Sequence, residues 1–173
     1  MNIGMFIIIV IFTVIMVFGI MVINVYNKCV FYRDRVLDKF NVIDKLIDER
    51  VKYINDVIMV INDNNLHEEK IIRELNKYKK LINNEEVVND RLLLLDDESI
   101  DKALGLCSVY KKLSKDKVFN CVRDNYDNNK SKVDYAIDIY NKEVMEYNNY
   151  KGSKFNNWVF SFFKFMEYNC YDR

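Results

Sequence analysis

The sequence predicts an all-α protein in which an N-terminal transmembrane helix continues into an antiparallel up-down bundle of long helices. Three observations predict it. No charged side chain occurs before Lys28. The 173 residues include no proline and only four glycines, two of which (Gly4 and Gly19) lie in the first 20, so little breaks a helix or turns the chain tightly. Downstream, apolar residues return at steps of three and four, the period of one buried helical face.

The anchor comes first. From Ile3 to Ile23 only Gly4, Thr13 and Gly19 interrupt an apolar run of 21 residues. As a helix that run spans ~31 Å, which matches a hydrocarbon core of ~30 Å. A single segment in lipid must satisfy its own backbone hydrogen bonds, and a helix does so. Tyr26 follows at the level of the interface, with Asn24 and Asn27 beside it. The run is longer than the apolar core of a signal peptide, no basic stretch precedes it, and no small-residue cleavage site follows. Residues 1–27 therefore read as a retained anchor, in contact with the lipid bilayer through residues 3–23. Lys28, Arg33, Arg35, Lys39 and Lys45 come next. The positive-inside rule places them in the cytoplasm, with a short N-terminus outside a cell membrane crossed once.

Residues 28–150 read as a helical bundle domain. Leu37, Phe40, Ile47, Val51, Ile54, Ile58 and Ile61 form the first stripe, with Asp44 in one missing place. Nothing between Lys28 and Ile61 breaks a helix, so anchor and stripe are expected on one rod. The cluster from Asn62 to Asn65 is the first stop signal. Ile71, Leu75, Tyr78 and Ile82 make a second stripe. Leu92 to Leu95 read as a buried turn or packed connection, a short strand being the alternative. Asp96-Asp97-Glu98-Ser99 resembles a helix start, followed by a third stripe of Ala103, Leu106, Cys107, Tyr110 and Leu113. The fourth is the longest: Phe119, Val122, Tyr126, Val133, Ile137, Tyr140, Val144 and Tyr147, with a fray or kink expected at Asp127–Lys130.

Residues 151–173 form an aromatic amphipathic segment. Phe155, Trp158, Phe162 and Phe165 fall at steps of three, four and three, beside Val159, Phe163 and Met166. Such a stripe either docks on the bundle as a last helix or rests on the membrane surface.

Chemistry is sparse. His67 is the only histidine and sits in a polar break without a nucleophile motif. Cys29, Cys107, Cys121 and Cys170 show neither C-x-x-C nor zinc spacing; cytoplasmic thiols are expected reduced, and Cys107 falls on a buried stripe. The acidic groups at Glu68-Glu69, Glu85-Glu86 and Asp96-Asp97-Glu98 lie near helix starts, where they favour the helix dipole. No phosphate-binding glycine loop, calcium loop or H-E-x-x-H is present. The expectation is no catalytic residue, no cofactor and no metal site. Lys+Arg and Asp+Glu balance at 26 each, which argues against nucleic acid as a partner.

One stretch is more specific. Tyr140-Asn141-Lys142-Glu143-Val144-Met145-Glu146-Tyr147-Asn148 resembles the Y-N-x-x-V-x-x-Y-N motif of the LemA family of bacterial membrane-anchored proteins. Phe155 stands where that family's Phe-Pro follows, with Asn156 replacing the Pro, and Trp158–Tyr168 is similar to its aromatic end. Ile43-Asp44 and Arg50 resemble the family's Ile-Asp and one of its paired arginines; Glu49 replaces the other Arg, and Tyr53-Ile54-Asn55 replaces its Leu-Ile-Pro. Phe119-Asn120 is similar to its Phe-Asn. The resemblance implies a divergent member: a helical bundle with an extruded N-terminus and a cytoplasmic body, and no defined reaction. Independently of it, Tyr140 and Tyr147 lie on the stripe, so their rings belong to the core. Asn141 and Asn148 are one step around and are placed to hydrogen-bond a neighbouring helix or chain terminus.

An anchor plus a bundle without a catalytic constellation points to a membrane-tethered scaffold or interaction module with a protein partner or self-association. The alternative is a sensor that takes a small ligand in or between bundle helices.

Overall fold

The computed structural model describes residues 3–64, 71–73, 75–76 and 97–171. Among the described residues there is helix and no strand. Helix α1 (Ile3–Asp63) is followed by a helical stretch at residues 71–73 and 75–76, then α2 (Asp97–Val109), α3 (Lys111–Ser114), α4 (Lys117–Lys151) and α5 (Lys154–Phe162). The protein is an all-α helical bundle. His67, Glu68-Glu69, Tyr78, Ile82, Glu85-Glu86 and Leu92–Asp96 lie outside the described residues, as do the side chains of Asp97, Glu98 and Ser99.

The expectation of one rod from anchor to first stripe is met, since α1 runs unbroken for 61 residues. Its apolar N-terminal stretch is long and apolar enough to cross a membrane, and none of it is buried by protein. Thr13 turns its hydroxyl back onto the Ile9 carbonyl at 2.8 Å, so the one polar side chain in the middle of that stretch is satisfied within the helix.

The chain divides into two compact units, and both α1 and α4 contribute to each. One unit comprises Met1–Phe40 and Ile137–Arg173. There Phe40 lies beside Tyr140 at 6.2 Å, Arg35 pairs with Glu143 and Glu146 at 2.8 and 3.0 Å, and Tyr32 lies 5.1 Å from Tyr150. Numbers fall on α1 as they rise on α4, so the two helices run antiparallel. Cys29, Val36, Tyr140, Val144, Tyr147, Val159 and Phe160 are its buried apolar centre.

The other unit is Asn41–Ala136. Arg50 meets Asn129 at 3.1 Å and Asn64 meets Asp116 at 3.0 Å, again an antiparallel order. Ile43, Ile47, Ile54, Val57, Ile61, Ile100, Leu104, Phe119, Val122 and Tyr126 are among its buried side chains. Lys130 ties α4 to Asp101 on α2 at 2.6 Å. Asp116 caps α4: its Oδ1 accepts from the Val118 and Phe119 amides at 2.7 and 3.1 Å, and Oδ2 accepts from Asn64 Nδ2. These bonds to the ionised form, the Asn64 amide first, hold the Asp116 carboxyl below its usual value.

All eight residues of the fourth stripe are buried. The helix does not break at Asp127–Lys130: α4 continues through it, and Asn129 points inward to make two hydrogen bonds with α1. The first stripe is rotated slightly from its expected centre. The fully covered row is Val36, Ile43, Ile47, Arg50, Ile54, Val57 and Ile61, while Leu37 is partly exposed and Val51 and Ile58 lie at the edge. The third stripe holds in part: Ala103, Cys107 and Leu113 are buried as expected, whereas Leu106 is exposed and Ile100 and Leu104 join the buried side. The helix stops at Tyr110, whose backbone is extended (φ −74°, ψ 115°), so Leu113 reaches the core from the separate α3.

Candidate functional site

Heptad spacing places Asn141 and Asn148 on one face of α4, about 10.5 Å apart along the axis. Beyond α5 the chain is not helical at residues 165–171, and three extended residues cover about 10 Å. The two rises match. Asn148 Nδ2 donates to the Tyr168 carbonyl at 3.2 Å, and Asn141 Nδ2 donates to the Tyr171 carbonyl at 2.9 Å. Asn141 Oδ1 also accepts from the Tyr171 amide at 2.8 Å, so this side chain pairs with both polar groups of one peptide residue. Tyr147 contributes a third anchor, with its hydroxyl donating to the Met166 carbonyl at 2.6 Å. Lys151 pairs with Glu167 across the same seam. The Tyr-Asn repeat is thus a ladder that holds the C-terminal strap against α4. The expectation that these asparagines bond a neighbouring helix or chain terminus is met in its second form.

The tyrosine rings are core, as their stripe position requires. Tyr147 packs edge-on against Phe160 and Tyr168 at 5.1 and 5.3 Å, and Tyr140 lies 5.2 Å from Tyr171. Burial pushes the Tyr140 hydroxyl up to about 12 and raises Tyr147 and Tyr168 as well. The Tyr147 hydroxyl thus stays a neutral donor to the Met166 carbonyl.

The strap is aimed by the way α5 begins and ends. Ser153 caps its start by accepting from the Asn156 amide at 3.2 Å, and Asn156 Nδ2 donates to the Tyr150 carbonyl at 2.7 Å. At its end Lys164 adopts a left-handed backbone (φ 53°). The Phe165 amide reaches back to the Phe160 carbonyl at 3.0 Å and the Lys164 amide to Ser161 at 3.3 Å. These are the two bonds of a Schellman motif, and the Phe160–Phe165 ring contact at 5.3 Å is its customary apolar partner.

Across α4, Arg35 bridges Glu143 and Glu146, one turn apart, and its guanidinium lies over Phe31 and Tyr32 at 5.6 and 6.0 Å. The Glu143 hydrogen bond and charge raise the Arg35 pKa further, so the bridge stays ionised. Burial likewise pushes the Cys29 thiol up to about 11, which keeps it an unreactive packing group.

The second unit holds a buried cation. Arg50 is 0 % exposed and Asn129 2 % exposed. Arg50 Nε donates to Asn129 Oδ1 at 3.1 Å, Asn129 Nδ2 donates to the Leu46 carbonyl at 2.9 Å, and the guanidinium lies 5.7 Å over the Tyr126 ring. Sequence periodicity missed this, because the first stripe was centred on Val51, one residue past Arg50, and Asn129 fell in the gap between Tyr126 and Val133. A polar residue at that gap in an otherwise apolar stripe was the available signal. The same unit has an open cleft of about 310 Å³ between α2 and α4, lined by Asp101, Ser108, Arg123, Asp127 and Lys130 among others. Arg123 reaches Ser108 Oγ at 3.4 Å there.

Of the residues singled out for chemistry, Cys107 is buried as expected. Cys29, Cys107, Cys121 and Cys170 are all free thiols. The acidic clusters and His67 fall outside the described side chains. What the described residues gather is a clamp on the C-terminal strap. Residues 39–173 match the sequence model of the LemA family, a range that takes in the Tyr-Asn ladder, the strap and Arg50. No curated protein matches the chain.

Proposed function

The chain belongs to the LemA family, and from that membership we propose a membrane-anchored helical-bundle protein that serves as a scaffold or protein-interaction module at the cytoplasmic face of a cell membrane. One observation carries the reading: a single helix of 61 residues holds both the uncovered apolar run and the buried face of the body. Whatever binds the body is thereby held near the bilayer. The cluster of Lys28, Arg33, Arg35, Lys39 and Lys45 after the run supports a cytoplasmic body. No catalytic role is assigned in this reading.

On α2, Leu106 and Val109 are exposed large apolar residues three positions apart, and so on one helix face. They are where a protein partner is sought. A photocrosslinking residue at Val109 in intact membranes is expected to yield an adduct of defined mass that disappears when residues 1–27 are removed. The absence of any reproducible adduct from Val109 and Leu106 counts against the scaffold reading. A second reading, a sensor, is favoured by the polar cleft of Asp101, Ser108, Arg123 and Lys130. Chemical-shift changes confined to those residues on adding a panel of small anionic metabolites would select it.

A further inference from the structure

Helix α5 has two apolar faces, and protein covers one of them. Val159 and Phe160 are buried, with the Phe160 ring 5.1 Å from Tyr147 and 6.3 Å from Tyr150. On the other side Phe155, Trp158 and Phe162 form a ridge at steps of three and four. Phe155 stacks on Trp158 at 6.1 Å, and Trp158 on Phe162 at 5.5 Å. Trp158 is 45 % exposed and Phe162 65 % exposed, and exposed Phe163 and Met166 follow them.

The depth of this ridge is read from α1. Phe18 lies 5.9 Å from Phe155 and 6.0 Å from Trp158. It belongs to the apolar run and stands five residues before its end at Ile23, about 7.5 Å along the helix. Tyr26, about 12 Å beyond Phe18 on the same helix, meets Phe163 and Phe165 at 4.8 and 5.6 Å. The helix and its cap therefore run beside the last stretch of the run and the interface that follows it. Nine residues rise only about 13.5 Å, too few to cross a bilayer. Exposed Lys154 and Lys164 stand at the two ends of the ridge, where their stems can reach headgroups.

We propose that α5 inserts beside the end of the membrane-spanning run, with its Trp158–Phe162–Phe163 face turned to the acyl chains of the leaflet from which the body of the protein emerges. The occupant of the ridge is the lipid itself, because the ridge adjoins, through Phe18, an apolar stretch that has no buried residue, and it sits at the depth of that stretch. This rests on residues 3–23 spanning the bilayer, and it adds a second lipid contact about 130 residues further along the chain.

Trp158 is the only tryptophan, so it reports without a label. The full chain is reconstituted in phosphatidylcholine–phosphatidylglycerol vesicles with acyl chains brominated at defined carbons. Blue-shifted emission, strong quenching by shallow bromines and weak quenching by aqueous iodide are expected. The double variant Trp158→Phe, Phe162→Trp should also be quenched by bromolipid, at a depth about 6 Å nearer the headgroups. Quenching by iodide but not by bromolipid overturns the proposal, and so does shielding from both, which would mean that a second copy of the chain covers the ridge. Flotation of the same vesicles separates the two readings: a chain that floats with an unquenched Trp158 refutes the lipid-facing ridge alone, and a chain that does not float refutes the anchor with it.

Discussion

Asn129→Ala tests the buried cation most directly. Arg50 is fully covered, and Asn129 supplies an acceptor to its Nε and a donor to Leu46. Loss of a hydrogen bond to a charged group costs ~1.5–3 kcal/mol and loss of a neutral one ~1 kcal/mol. The void left by the amide adds ~1 kcal/mol. The expected total is about 3–5 kcal/mol. It is a large part of the 5–15 kcal/mol that a folded domain typically has. For a chain of this size each kcal/mol moves Tm by ~2–4 °C, so Tm should fall by roughly 6–20 °C. Arg50→Met keeps the apolar stem and removes the charge. In that background Asn129→Ala loses only the Leu46 bond and some packing, so it should cost about 1.5–3 kcal/mol less. Thermal and urea unfolding of the four proteins, followed by circular dichroism in detergent micelles, completes the cycle. A coupling energy below ~0.5 kcal/mol would mean the two residues act independently, and would refute the energetic link between Asn129 and the buried Arg50.

Three further outcomes follow from the ladder and the caps. Asn141→Ala removes both bonds to Tyr171, so the Tyr171 amide should exchange with solvent roughly 10-fold faster by NMR, whereas Asn141→Asp retains an acceptor and should keep most of the protection; equal protection in wild type and Asn141→Ala would refute the clamp. Lys164→Gly should stabilise by about 0.5–1 kcal/mol in urea unfolding, because a left-handed backbone is strained for Lys and free for Gly, and Lys164→Val should destabilise. Asp116 has a folded pKa below its ordinary 3.8, so its contribution is present above that value and is lost as pH falls through the lowered one; the stability advantage of wild type over Asp116→Asn, measured by unfolding across a pH series, should therefore shrink only below about pH 4, and an advantage that persists unchanged to lower pH would exclude the ionised cap.

Legibility followed the clarity of the apolar period. The eight apolar residues of the fourth stripe were placed correctly because they recur in phase across the polar cluster at Asp127–Lys130, although the buried Asn129 within that cluster was not legible. The break at Tyr110 was not legible: no Gly or Pro marks it, and Ile100, Leu104, Leu106 and Val109 leave two faces of α2 about equally apolar. At the C-terminus the sequence displayed the outward ridge of Phe155, Trp158 and Phe162 more plainly than the docked pair Val159 and Phe160. Aromatic spacing reports amphipathicity but not which side meets protein.

By itself the sequence determined the helical class, the apolar run of residues 3–23 and the heptad spacing of the Tyr-Asn pairs, because these are local properties of composition and period. Only the tertiary structure decided what fills that spacing. The pairing of Asn141 with Tyr171 and of Arg50 with Asn129 joins residues 30 and 79 positions apart. A hydrogen bond of that kind depends on how two helices and a strap approach each other, which no single stretch of chain encodes.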